Sequence, residues 1–190
     1  MSDANGATPI EVRVENVSQL FDTLDPYPFP ERDLDRDAEE YIVGWARELP
    51  SDAPISIVIH LPAAEAAKQD PKTLTAALNR YFTYRMGIAV RDLNELFRVG
   101  RIALLIGVVV LAVCLTAARF ASNFLGDTPF GRFVQESLVI LPWVANWRPI
   151  EIFLYDWWPL LRRRNLYRRL SEANVEVTAY DRAGELGSPI

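Results

Sequence analysis

Arg148, Glu151 and Asp156 stand in NWRPIEIFLYDWWPLLRRR (residues 146–164), a run otherwise rich in apolar and aromatic residues. Two carboxylates and a guanidinium in such surroundings could carry a proton or an ion, with Arg148 setting the charge state of the acids. Ionisable groups inside a membrane segment are costly and are functional by default. Arg148 and Glu151 are three residues apart, near enough on a helix to pair. A structural Arg–Glu pair, or anchoring at a membrane interface, is the plainer reading of the same residues and is favoured here.

Other polar groups are weaker candidates. DLDRDAEE (33–40) is the densest carboxylate cluster, and its D-x-D-x-D opening is calcium-loop-like. Ala38 takes the place where that loop needs glycine, and Gly44 the place of the bidentate glutamate. Acids in the first turn of a helix, opposite the positive end of its dipole, are the better account. His60 lies on an expected strand and is read as a satisfied core residue. Cys114 sits between Val113 and Leu115, where a low dielectric disfavours the thiolate. One cysteine and one histidine exclude Cys/His zinc sites and an internal disulfide. Gly107 has no glycine four residues away, so a G-x-x-x-G helix-pairing motif is missing. No phosphate-binding glycine loop, nucleophile elbow or H-E-x-x-H occurs, so no catalytic residue, cofactor or metal is assigned.

The elements that must position these residues divide by charge. Residues 1–70 hold 15 acidic and 5 basic side chains, whereas residues 71–190 hold 10 acidic and 15 basic. Two environments follow, and the acidic part disfavours nucleic acid. MSDANGATPIEV has neither a basic nor an apolar signal region, so the N-terminal domain is expected to stay on the side of synthesis. Residues 1–9 are expected to be frayed. IEVRV (10–14) alternates as a half-buried strand does. FDTLDPYPFPERD is an irregular connection, and a helix follows from about Leu34 to Leu49 with Ala38, Tyr41, Ile42 and Trp45 on one face. ISIVIHL (55–61) is a second strand with a short helix behind it. Pro71 suits the start of a long helix carrying Leu74, Leu78, Phe82, Leu93, Leu96 and Phe97, weakened at Gly87. VEVTAY (175–180) is expected to be a third strand that could rejoin the first two.

Between Arg101 and Arg119 lie 17 uncharged residues, about 26 Å of helix against a hydrocarbon core of roughly 30 Å. A turn-rich connection with Gly126, Pro129 and Gly131 leads to a second apolar run. That run predicts a return through the bilayer, either over about 138–158 or over about 133–147 with a bend at Pro149. In the second case the following segment lies in the interface. Arg80, Arg85, Arg91, Arg98 and Arg101 precede the first span; Arg162, Arg163, Arg164, Arg168 and Arg169 follow the second run; the connection holds only Arg119 and Arg132. The positive-inside rule then places both termini in the cytoplasm. The same late arginines can bind anionic headgroups, with Trp147, Trp157 and Trp158 at headgroup level.

The expected architecture is therefore α+β: a membrane helical hairpin of two transmembrane helices with a small cytoplasmic α/β domain of about three strands. Its parts are a cytoplasmic domain over 10–100 ending in the long helix, a hairpin over 101–161, and a basic juxtamembrane helix, strand and tail over 162–190. Trp147, Arg148, Pro149 and the stretch from Glu151 to Pro159 resemble the W-R-P-x-E-I-F-L-Y-D-W-W-P pattern of an uncharacterised family of bacterial two-span inner-membrane proteins. FPERDLDRDAEEYIV resembles that family's N-terminal half. The resemblance implies a bacterial inner-membrane location and the hairpin, and names no reaction or ligand. The expected role is a membrane-anchored interaction or assembly protein, partnered by the bilayer and by copies of itself or another membrane protein, not by nucleic acid. A small oligomeric channel or transport accessory is the alternative, and a membrane-bound enzyme of unknown reaction the third.

Overall fold

The computed structural model describes residues 9–27, 31–51, 53–125 and 128–180. The expectations for residues 1–8, for the prolines at 28 and 30 and for the turn at Gly126 fall outside them. The chain divides into two compact units, one made of residues up to Ile88 together with those from Arg163 on, the other of Ala89–Arg162.

The first unit is built on three strands, β1 (Ile10–Arg13), β2 (Ser56–Pro62) and β3 (Asn174–Tyr180), in the order β1-β2-β3. Both pairings are parallel: Ile10 stands opposite Ile57, and Ile57 opposite Val175. β1 and β2 are joined through α1 (Arg36–Glu48). β2 leads into α2 (Ala63–Ala66) and then α3 (Pro71–Leu125). Parallel strands added one after another in one direction by right-handed crossovers put every connection on the same face. Burial agrees with this. Ile10, Val12, Ile57, Ile59, Leu61 and Val175 are buried, while Glu11, Arg13, Ser56, Val58, His60, Glu176 and Thr178 on the other face are exposed or half-exposed.

Local chemistry starts and stops these helices. Asp35 caps α1, its carboxylate accepting from the Asp37 amide at 2.9 Å, with Asp37 and Glu39 in the first turn. The buried face of α1 is Ile42, Val43 and Ala46; Tyr41 and Trp45, expected on it, stay about half exposed. The Tyr41 hydroxyl instead donates to the Glu11 carbonyl. Asp70 caps α3, accepting from the Thr73 hydroxyl at 2.7 Å and the Lys72 amide at 3.2 Å, ahead of Pro71 at the first position. From there Leu74, Leu78 and Phe82 are buried in the core. α3 runs on through Gly87 without interruption.

The second unit takes the rest of α3, then α4 (Pro129–Glu151), a π-helical turn (Ile152–Asp156) and the start of α5 (Trp157–Ser171). Thr128 caps α4 by accepting from the Gly131 amide. α4 lies antiparallel to α3. Gly107 faces Asn146, whose side-chain amide donates to the Gly107 carbonyl at 3.2 Å, and Gly100 faces Ile152 and Phe153.

Two transmembrane helices, as expected from the sequence, are not what forms. Among the described residues one helix, α3, is long and apolar enough to cross a membrane. The second apolar run is broken up by Pro142, Asn146, Arg148, Pro149 and Glu151, and no helical stretch of it is apolar enough to count as a second span. Nor does α4 stop at Pro149. It continues to Glu151, and the irregularity comes one residue later as the π turn.

Candidate functional site

The three residues singled out by type and spacing are brought together in the second unit. Arg148 Nη1 lies 3.3 Å from Glu151 Oε2 and 3.2 Å from Asp156 Oδ2. The Glu151 contact is an ordinary one-turn pairing. The Asp156 contact is not: eight residues along an α-helix lie about 80° around its axis from the starting residue. A π turn advances by fewer degrees per residue, because its hydrogen bonds close over five residues rather than four. With that turn at Ile152–Asp156, Asp156 rotates back over Arg148.

Trp147 adds a fourth member, its indole N–H donating to Glu151 Oε1 at 2.8 Å. Trp147, expected from its residue type as an interface aromatic, is thus part of the polar cluster as well. Among the described residues, the guanidinium is engaged through Nη1 alone and Asp156 through Oδ2 alone. The cluster holds one positive and two negative side chains, so its formal charge is one negative. Arg148 is 61% exposed, and around it Trp143, Val144, Ile150, Leu154, Tyr155 and Trp158 are exposed as well.

The antiparallel contacts fix the height of the cluster along α3. Since Asn146 faces Gly107 and Ile152 faces Gly100, Arg148 lies level with about Leu105 and Glu151 level with about Arg101. The cluster therefore stands at one end of the uncharged stretch Ile102–Ala118, not at its middle. Trp157 and Trp158 lie just beyond it, their ring centroids 5.5 Å apart, and Trp157 donates to the Phe153 carbonyl.

The late arginines do not act as one group. Arg162, Arg163 and Arg168 are exposed. Arg169 is not available to headgroups in the same way, because its Nη2 donates to the carbonyls of Pro50 and Ala53 at 2.7 and 2.8 Å. It holds α5 to the loop that follows α1.

A second polar cluster, missed in the sequence, lies in the first unit. Glu39 on α1 receives Arg85 at 2.7 Å, the Tyr167 hydroxyl at 3.0 Å and the Tyr81 hydroxyl at 2.9 Å. Burial, then the bond to Glu39, pushes the Tyr81 phenol well above its ordinary range. These partners are far apart in the chain, and no local spacing marks them. The cluster joins α1, α3 and α5, which makes it a structural tie. His60, expected as a satisfied core residue, is instead half-exposed on the face of the sheet away from the helices, and its buried Nε2 lies 3.7 Å from Glu11 Oε2 without a hydrogen bond among the described residues. Cys114 is buried.

Comparison with protein-family models, curated proteins and solved structures gave no match.

Proposed function

We propose that this protein is a membrane-anchored interaction or assembly protein, held to a bacterial inner membrane through the apolar part of α3. The observation that carries this reading is the reversal of burial along α3. Its first turns bury Leu74, Leu78 and Phe82, yet Leu105, Ile106, Val108, Val109 and Val113 on Ile102–Ala118 are all more than half exposed. Contiguous apolar surface of this kind marks an interaction or membrane site, and a stretch free of charge fits a bilayer better than a protein surface. The acidic α/β unit would be the part that meets a protein partner or further copies of the chain. Arg91, Arg98 and Arg101, on α3 just before the stretch, support a cytoplasmic placement of that end of it. The channel alternative has less behind it, because Arg148 level with Leu105 and Glu151 level with Arg101 stand toward one end of the uncharged stretch and not at its middle.

Extraction of native membranes with alkaline carbonate tests the reading. The protein should stay in the pellet, and Val109→Lys should release it, since a charge at the centre of a span costs about 2.5–3.5 kcal/mol on insertion scales. Release of the unaltered chain overturns the anchor. Crosslinking in those membranes, read by mass spectrometry, should then join the α/β unit to a partner or to a second copy.

A further inference from the structure

We infer that the Arg148–Glu151–Asp156 cluster is a seat for a zwitterionic phospholipid headgroup bearing a primary ammonium, of the phosphoethanolamine type. The inference rests on the membrane reading above. Three observations lead to it. The cluster offers both signs of charge side by side, with the guanidinium 3.2–3.3 Å from the two carboxylates. It leaves both signs partly unused: among the described residues Arg148 keeps its Nη2 and Nε donors, and Asp156 keeps Oδ1. It also sits level with Arg101, where the uncharged stretch of α3 ends and exposed Trp147, Tyr155 and Trp158 gather, the composition expected of a headgroup zone.

Charge complementarity selects the occupant. A purely anionic headgroup would satisfy Arg148 but add to the excess negative charge of Glu151 and Asp156. A metal cation would leave the spare guanidinium donors unmet. A phosphate with an ammonium two carbons away supplies an acceptor for Arg148 and a three-proton donor for the carboxylates. Charge-assisted hydrogen bonds of both kinds are the stronger sort. A trimethylated ammonium has no N–H to give, so phosphocholine should bind less well. The π turn is then the device that makes the seat, for without it Asp156 leaves the face of Arg148 and the ammonium side loses half its carboxylates.

The test uses the full chain in nanodiscs holding phosphatidylglycerol at a fixed fraction, with the rest either phosphatidylethanolamine or phosphatidylcholine. Native mass spectrometry reads the lipids retained on release. The unaltered chain should keep phosphatidylethanolamine over phosphatidylcholine by about tenfold, the ratio for losing one hydrogen bond to a charged group. Asp156→Asn should erase that preference and leave phosphatidylglycerol retention unchanged, while Asp156→Glu should keep most of it and so control for folding. Replacing Arg162 and Arg163 by Gln should lower phosphatidylglycerol retention without touching the preference. Equal retention of the two zwitterionic lipids, or a preference that survives Asp156→Asn, overturns the seat. Selective retention of phosphatidylglycerol lost on Arg148→Gln also overturns it, in favour of an anionic lipid. So does crosslinking of Tyr155 or Trp158 to a second copy that excludes lipid. A protein that stays in carbonate-washed membranes yet shows no preference refutes only the seat; one released by carbonate refutes the anchor and the seat together.

Discussion

The two units of this chain handle apolar side chains in opposite ways. In the α/β unit, Ile57, Ile59 and Leu61 alternate with half-exposed neighbours along β2, and their side chains are essentially removed from solvent. In the unit Ala89–Arg162, residues of the same kinds cover the outside, Leu105 at 66% and Val144 at 64% exposure among them. The second unit buries Gly100, Gly107, Cys114, Pro142, Pro149 and, of its large apolar side chains, Ile152, with the half-buried Asn146 amide at the α3–α4 contact. The first pattern is that of a fold driven by water leaving apolar surface. On the membrane reading proposed above, that driving force is weaker around the second unit, and its helix contacts depend more on close approach and on interhelical hydrogen bonds.

This contrast can be broken or sharpened by substitution. The largest effect should come from Phe82→Ala, which empties the core of the α/β unit and should cost about 3–5 kcal/mol. Leu105→Ala, which removes a comparable side chain from the outside of the other unit, should cost less than about 1 kcal/mol. Urea unfolding of the reconstituted chain, followed by circular dichroism, compares the two; equal costs would erase the distinction. Next comes Glu39→Ala, which leaves Arg85, Tyr81 and Tyr167 facing one another without the carboxylate. Loss of about 2–4 kcal/mol is expected by the same measurement. Tyr81→Phe should cost less, since Glu39 keeps Arg85 and Tyr167.

In the second unit, Gly107→Ala should act through Asn146. An added methyl group would run into the Asn146 side chain and dislodge its bonds to the Gly107 and Pro142 carbonyls. A loss of about 1 kcal/mol is expected, and Asn146→Ala should cost a similar amount. The double variant should lose little more than either alone, which a double-mutant cycle in detergent would show.

The smallest effect concerns acid. The Thr73 hydroxyl and the Lys72 amide hold the Asp70 carboxyl below its usual value. The folded chain therefore binds its proton less readily than the unfolded chain. The resulting stabilisation is fully present above the ordinary aspartate pKa and fades as pH falls through the lowered one. Asp70→Asn keeps a capping oxygen but cannot titrate. Thermal melts from pH 6 to pH 2.5 should show the two chains converging toward the acid end.

The features legible in the sequence were those set by neighbours in the chain. Period-two alternation marked β1 and β3, a β-rich run marked β2, Pro71 marked the start of α3, and the uncharged run after Arg101 marked its apolar half. Arg148 and Glu151 were legible as a pair because a helix turn brings them together. Asp156 was legible only as a nearby acid, since its approach to Arg148 needs the π turn, and no residue in IFLYD announces one. The Glu39 cluster joins residues from α1, α3 and α5, and such meetings are decided by packing, not by spacing. The expected second span failed for a simpler reason: two prolines, an asparagine and a charged pair interrupt the apolar residues of the returning run.

One consequence of the strand pairing concerns the order in which the molecule can be made. β2 leaves the ribosome early, but its partner β3 follows only after α3, α4 and α5. Until then the backbone amides and carbonyls along one side of Ser56–Pro62 have no strand to pair with. The sheet is thus completed last, by the far end of the chain. A copy cut short between the end of α3 and the start of β3 would carry an apolar helix fit for a bilayer and a half-built domain with an open edge, a form that quality-control proteases could recognise.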